Sequence, residues 1–546
     1  MTIELGFLPA DVLGLAPWTA RVLAERPRPN ALPGMIVPAT PSDVPAPQRP
    51  SDPFESDTRA ELAATLEQRL AKYEPHVAVL ESARALRTPG VTMVLAGQQP
   101  ALLGGPLYNV YKALHVVALA RALQRLWERP VVPAFWNHSD DHDLAEVHHL
   151  WIQNPNLDLR KVSLAGMSSG RTPLAAIRFD EERHRLGALR ELLRQNLWEG
   201  PERDAALETF LPRDGESFSG AFTRVLLSLF GHLGLVVVEP DWIRAASSHV
   251  LARLVITDLE GALRRGSDAV RAAGREIAID PGDAALLFRL VDGKRHALRQ
   301  SQGAFRYDGE SGSRSSAELA AEIVDAPEEW SSAALLRPVV QDLVLPVAAY
   351  VGGWGELAYH SQLVELRRVA GAPTTPFVPR FSATLVDAGA REALAKLELD
   401  VGAVLRARGE LSEGKEDEPA SPAAARLRAV ARSAAAELTG LRAAVAEEDR
   451  GLALHVQRTA EQIEGLVEKL ASKLDRVRQN ASGSGRRHVR RLANGLFPNG
   501  QPQERVRGAL EFAARHGTGW IDELLAGLEP LPTEHLVVHL DAGARP

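Results

Sequence analysis

The chain has 546 residues, of which 45% are hydrophobic and 24% charged, with a net charge of −7 and no cysteine. This is the composition of a folded globular protein with roughly three to four domains' worth of chain. It excludes disulfides, cysteine-ligated metal and a catalytic thiol of the protein's own, and the acidic balance argues against a broad nucleic-acid surface.

No apolar run approaches the roughly 18 residues of a membrane span, and the first residues carry Glu4 and Asp11 with no basic stretch. No membrane anchor or signal peptide is expected, and cytoplasmic residence is the default. Residues 1–55 are proline-rich; proline removes backbone donors and fixes φ, so an extended arm or irregular wrap is expected, with a partly disordered lead-in equally open for 27–50. Residues 58–86 have helical spacing, with Leu62, Leu66 and Leu70 on one face.

The stretch 91–150 organises the rest. An apolar run at 91–96 stops at a turn holding Gly97, Gln98, Gln99, Pro100, Gly104, Gly105 and Pro106. A helical pattern follows over 107–127, then a second apolar run at 131–136 that ends in Asn137, His138, Ser139, Asp140, Asp141, His142 and Asp143. Strand, glycine turn, helix, strand and acidic turn make a βαβ unit.

Further on, 157–164 and 174–179 read as short strands, 181–198 and 217–233 as helices, and 234–241 as a buried strand with an acidic end. A helical stretch at 242–275 precedes a hairpin over 284–308 that turns at Asp292-Gly293 and interrupts the α/β alternation. The core resumes over 335–387: a buried run at 344–351, a turn at Gly352, Gly353 and Gly355, a helix at 356–370 and a strand at 377–384. After an acidic break at 410–422, Leu438, Val445, Leu452, Thr459 and Leu466 form one row at sevenfold spacing, and Val456, Ile463, Leu470 and Val477 a second. Two such rows are the seam of a coiled coil, with Gly451 as a bend or hairpin point. A last helix is expected near 506–516.

Three polar clusters fall at strand ends, where open α/β sheets place their ligands. The turn at 97–105 leads into a helix N-terminus that suits an anion, with Gln98, Gln99 and Lys112 adding donors and charge, although GxGxxG and GxxxxGK[ST] are both absent. The acidic turn with His138, His142, His148, His149, Asp140, Asp141, Asp143 and Glu146 suits a substrate or nucleotide first, a capping box from Asp143 to Glu146 second and a metal third. Arg337, Gln341 and Asp342 with Gly353 and Glu356 form the third cluster; Arg337 suits a carboxylate or phosphate, or equally an ion pair with Asp342. Arg380 is a weaker fourth candidate.

The stretches GQQPALLGGPLYNVYK, VPAFWNHSDDHDLAEVHH, RPVVQDLVLPVAAYVGGWGE and LFPNGQPQER, in this order and spacing, resemble the BshC family, the cysteine ligase of bacillithiol biosynthesis, over essentially the whole chain. The family pattern matches at Gly97, Gln98, Gln99, Leu102, Leu103, Gly105, Pro106, Leu107, Tyr108 and Lys112, and at Asp141, His142, Asp143 and Glu146. It departs at Pro100-Ala101, at Gly104 and at Asn137-His138-Ser139-Asp140, where an apolar-Ala-Gly-Glu run is usual, so His138 and His148 are not family features and the histidine metal site loses ground.

The resemblance implies a Rossmann-like α/β core with connecting insertions, a helical coiled coil and a homodimer through it. The expected division is an arm and lead-in helix at 1–90, the core at 91–386 with insertions at about 151–230 and 275–325, the coiled coil at 387–500, and a helix and tail at 501–546. It also implies addition of cysteine to glucosaminyl-malate as the last step of bacillithiol synthesis, with ATP expected to activate the carboxylate. Gly97, Gln98, Gln99, Gly105, Tyr108 and Lys112 are then expected at the nucleotide, and Asp141, His142 and Asp143 as the groups that orient or deprotonate the amine. Arg337, Gln341, Asp342, Gly353, Glu356 and Arg380 are expected at the substrates. No metal ligand set is assigned. A non-catalytic dimeric metabolite-binding protein and a nucleotidylyltransferase are the alternatives.

Overall fold

A computed structural model describes residues 3–47, 56–164, 166–167, 170–280, 282, 286–301, 304–307, 312–411, 422–448, 450–479 and 484–540. Five apolar stretches, Thr92–Gln98, Val131–Asn137, Val236–Val238, Val347–Gly352 and Phe377–Pro379, form one fully parallel sheet. Both of its faces are covered, so its strands carry continuous apolar runs; every residue of Val131–Asn137 is buried.

Across the sheet the order is Phe377–Pro379, Val347–Gly352, Thr92–Gln98, Val131–Asn137, Val236–Val238. The chain therefore builds outward from Thr92–Gln98 on one side and returns to its other side with Val347–Gly352. The crevice beyond the carboxyl ends of these two neighbours is the point where the strand order reverses. Gly97 sits there because nothing larger fits: a Cβ would lie 2.8 Å from His138 Nε2 and 3.1 Å from the Tyr350 hydroxyl.

The crossover helix Tyr108–Trp127 is buried on more than one face. One face packs on the sheet. Another is covered by the C-terminal part of the chain, where His115 donates from Nε2 to Pro530 O at 2.9 Å and accepts the Phe381 N–H at 3.1 Å. A second sheet joins the two ends of the chain: Ile3–Leu8 pairs antiparallel with His535–Leu540, which pairs parallel with Ser382–Val386. The proline-rich N-terminal stretch thus begins as a paired strand, and the C-terminal stretch ends in one. Six residues of strand carry no local sign of a partner at the far end of the chain. The expected strand at 377–384 is two strands, which part at Arg380-Phe381 and serve different sheets. Between 27 and 47 the chain wraps the core with Leu32, Met35 and Val37 buried; 48–50 lie outside the described residues.

The inserted hairpin is present and larger than expected. Trp330–Ser332, Leu287–Val291, Lys294–Ser301 and Ala304–Tyr307 form an antiparallel sheet in that order. Asp292 and Gly293 turn it with φ of 49° and 73°, the mirror-image turn that fits strand twist. The stretch 174–179 is not a strand; Leu174 and Ala175 donate their N–H groups to Asp141 O and Ser139 O and so pin the acidic turn.

Pro422–Glu448 and Arg450–Gln479 fold back on each other as a helical hairpin, with Arg428 bonded to Glu468 across it at 2.8 Å. The two expected rows are partly covered: Leu438, Val445, Val456 and Ile463 are half-buried, while Leu452, Thr459, Leu466 and Leu470 are exposed. Among the described residues the fully buried positions are alanines, Ala424, Ala431 and Ala435 on one helix and Ala453, Ala460 and Ala471 on the other. Heptad spacing marks a face but not what covers it, and alanine lets two axes approach closely. Gly451, the expected bend point, stands in the first turn of the second helix, just after the break between the two; the side chain of Val477 and most of the acidic break, 412–421, lie outside the described residues. Among the described residues no helix is long and apolar enough to cross a membrane.

Two measurements follow. Ala460→Leu should overpack the hairpin and destabilise it by about 1–3 kcal/mol in denaturant unfolding, while Leu466→Ala changes hairpin stability by about 0.5 kcal/mol or less. His115 and His535 are both pushed down to about 4 by burial. The unfolded chain binds protons at these rings below about 6.5, and the folded chain refuses them until about 4. Stability should therefore be complete above pH 6.5 and fall towards pH 4 by up to about 1.4 kcal/mol per unit for each ring, read from urea melts across that range.

Candidate active site

A cavity of about 510 Å³ opens at the reversal point of the parallel sheet. Its floor is the two strand ends with Gln98, Gln99, Trp136 and His138. Arg337, Glu356 and Tyr359 form one wall, Asp140, Asp141 and His142 another, and Phe288, Arg295 and Ser332 of the inserted sheet cover it.

The floor is held by a buried ion pair. Lys112 Nζ donates to Glu356 Oε2 at 2.6 Å, to Gly97 O at 2.6 Å and to Gln98 Oε1 at 2.9 Å. Glu356 also accepts the Gly353 N–H at 2.8 Å and the Tyr350 hydroxyl at 2.9 Å. Burial alone raises its carboxyl, but Lys112 and these donors hold it below the usual range. Lys112 thus has an acceptor for each of its three protons, and Gly353 and Glu356 serve the frame of the cavity.

The turn at 97–105 is closed by protein. Leu102, Leu103 and Gly104 are buried, a Cβ on Gly104 would meet Phe210, and Gly105 and Tyr108 do not line the cavity. The first free N–H at the helix start, that of Leu107, donates to Arg507 O at 2.8 Å. Of the expected nucleotide group, Gln98 and Gln99 face the cavity, while the Gly105, Leu107 and Asn109 N–H groups bond within the protein and a C-terminal segment covers the helix start. The glycines of the motif record a tight βα turn and its covering.

On the wall opposite the acidic turn, Arg337 is buried and enters the cavity with neutral partners only: Gln341 Oε1 at 2.8 Å and the Tyr359 hydroxyl at 3.0 Å. The alternative ion pair with Asp342 is absent. Asp342 instead takes Arg367 at 3.0 Å, behind the helix Arg337–Val344, so neither Gln341 nor Asp342 reaches the cavity. Arg380 is also elsewhere; it pairs with Glu504 and ties the core to the C-terminal segment.

The acidic wall is built by short-range hydrogen bonds. Asp141 Oδ1 accepts the N–H groups of His142 and Asp143, and its Oδ2 accepts Gln99 Nε2 at 2.7 Å. Asp143 is exposed and caps the helix Leu144–Val147 through the Ala145 N–H, away from the cavity. The capping box is incomplete, because Glu146 bonds Gln99 at 3.1 Å. Asp140 pairs with Arg244. His148 turns back on its own helix through Leu144 O, and among the described residues no group of three His, Asp or Glu side chains could hold a metal ion.

Arg295 has no local signal in the sequence as a site residue. Arg295, from the inserted hairpin, donates to His142 Nδ1 at 3.2 Å. Arginine only donates, so Nδ1 accepts and the ring proton of His142 is on Nε2. Burial, then Arg295, lowers the His142 pKa. His138 is held well below its usual value by burial and by Arg337 and Lys112, and its Nε2 has no partner; Trp136 Nε1, also at the cavity, has none either. Glu239, pushed up to about 7 by burial and by Asp241, accepts from Thr223 and Asn137 and anchors the strand end beneath.

Removing one partner of a buried pair leaves the other charge unpaired. Lys112→Met should cost about 3–5 kcal/mol of stability in urea unfolding. A loss of less than about 1 kcal/mol, typical of surface pairs, would overturn the framing role given to this pair.

Comparison with known proteins agrees with this architecture. The model of the BshC N-terminal Rossmann-like domain of bacillithiol biosynthesis matches residues 48–381, and that of the BshC C-terminal coiled-coil domain matches 383–540. A Koribacter versatilis protein named "Putative cysteine ligase BshC" is 29% identical over 500 residues, covering 89% of this chain and 91% of its own. A protein of the same name from Geobacillus kaustophilus is 29% identical over 499 residues, covering 88% and 90%, and one from Heliobacterium modesticaldum is 28% identical over 498 residues, covering 84% of each. With both domain models matched in order over nearly the full length, the chain belongs to the BshC family of bacillithiol biosynthesis.

Proposed function

We propose that this chain is an amide-bond-forming ligase that joins the carboxyl of L-cysteine to the amine of glucosaminyl-malate. The observation that carries the reading is Arg337: a buried guanidinium facing a cavity with only neutral partners. A charge so placed is stabilised by an anion, and its fork matches a carboxylate. The relatives' printed name supplies the amino acid, and the cavity at the sheet's reversal point supplies a place for it.

The two walls suit two different groups. Arg337 takes a substrate carboxylate. On the facing wall Asp140 is held by Arg244, but Asp141 Oδ2 bonds only Gln99 and keeps a lone pair for an amine N–H, and His142 stands beside it to receive the proton the amine loses as the amide forms. His138, kept neutral, adds no competing positive charge at the floor. A free carboxylate is a poor electrophile and needs activation, so these residues account for binding, orientation and proton removal only.

The test is product formation from cysteine and glucosaminyl-malate by the purified protein, with and without ATP, followed by mass spectrometry. Arg337→Ala should raise KM for one substrate about 10- to 100-fold, the loss of a charged hydrogen bond. His142→Ala should lower kcat about 100-fold or more. Wild-type rates in both would overturn these roles, and no product under any condition would overturn the ligase reading.

A further inference from the structure

Arg295 lines the same cavity from the inserted sheet and has no part in the reaction as proposed above. It is 7% exposed, and its guanidinium lies over the Phe288 ring, 3.8 Å from the centroid. It donates to His142 Nδ1 at 3.2 Å and to Ser331 Oγ at 3.3 Å, and its Nε has no partner. Among the described residues no carboxylate is paired with it. The two nearest acids are committed, Asp140 to Arg244 and Asp141 to Gln99 and two backbone N–H groups. A buried arginine whose partners are a hydroxyl and an imidazole is an unfilled anion site.

We propose that Arg295 is a second anion subsite whose occupancy releases His142: a carboxylate or phosphoryl oxygen that takes the guanidinium withdraws its hydrogen bond from Nδ1 and cancels its charge beside the ring. The groups around His142 set the direction. Burial, then Arg295 and Arg171, oppose a positive imidazole, Asp141 and Asp143 favour it, and Phe288 packs edge-on against it at 5.7 Å. With Arg295 neutralised the strongest opposing charge is gone and Nδ1 becomes free to take a proton. The empty cavity therefore holds His142 as a poor base, and the bound anion makes it a competent one. The ligand this selects carries two anionic groups, one for Arg337 and one for Arg295. The inference deepens the ligase reading only in naming the proton's source, the substrate amine.

Protein labelled with carbon-13 at histidine Cε1 reads this directly, with the His142 signal assigned by His142→Gln. Titration with succinate and, separately, inorganic phosphate should raise the His142 pKa by about 1 unit, the size of a neighbouring-charge effect. A response to succinate alone assigns the subsite to a carboxylate, and to phosphate alone to a phosphoryl group. Arg295→Gln should show the raised value with no anion added and no further response. Arg295→Lys, which keeps the charge without the fork, should fall between. A His142 signal unmoved by either anion in the unaltered protein, or an Arg295→Gln protein that titrates and responds as the unaltered one does, would overturn the proposal. The titration needs no turnover, so a failed ligation beside an intact titration removes the ligase reading alone.

Discussion

The ion pair between Lys112 and Glu356 is the constraint on which the cavity depends. Lys112 comes from the crossover helix after the first core strand, and Glu356 from the helix after the strand that returns beside it. Their contact at 2.6 Å bridges the place where the sheet reverses order, which is where two strand ends would otherwise splay. In a low-dielectric interior such a pair is favourable only if every remaining donor and acceptor is matched. Here Gly97 O, Gln98 Oε1, the Gly353 N–H and the Tyr350 hydroxyl complete it. Moving either charge out of this arrangement would leave buried donors and acceptors unmatched.

That floor sets an imbalance in the walls above it. The acids at the cavity already have partners, while the side-chain hydrogen bonds of Arg337 and Arg295 go to neutral groups. Burial, reinforced by Arg337 and Lys112, keeps His138 neutral, and burial with Arg295 does the same to His142. The result is a cavity that favours anionic ligands and holds its imidazoles uncharged until one arrives. The inserted sheet is part of this design, since it delivers Arg295 and Phe288 from outside the Rossmann-like core.

Much of the core was legible because its signals are local. The strand at 91–96 and its neighbour at 131–136, the helix between them, the Asp292-Gly293 turn and the buried run before Glu239 each follow from periodicity and turn chemistry within a dozen residues. The site was legible in outline for the same reason: Gln98, Gln99, Asp141, His142 and Arg337 stand at strand or helix ends and do line the cavity. Their partners were not. Lys112 reads as a cation for a ligand until its acceptors are seen, and Asp342 reads as the partner of Arg337 until Arg367 is placed beside it.

The sequence by itself determined most helices and strands of the α/β core, the polar clusters at their ends, the sevenfold apolar rows near the C-terminus and the family. Only the tertiary structure decided which polar groups are spent on the fold and which remain for a ligand. That choice depends on contacts between residues more than a hundred positions apart: Leu107 with Arg507, Arg380 with Glu504, His142 with Arg295. A hydrogen-bonding group has the same name in a sequence whether it is satisfied or not, and burial together with its neighbours decides which.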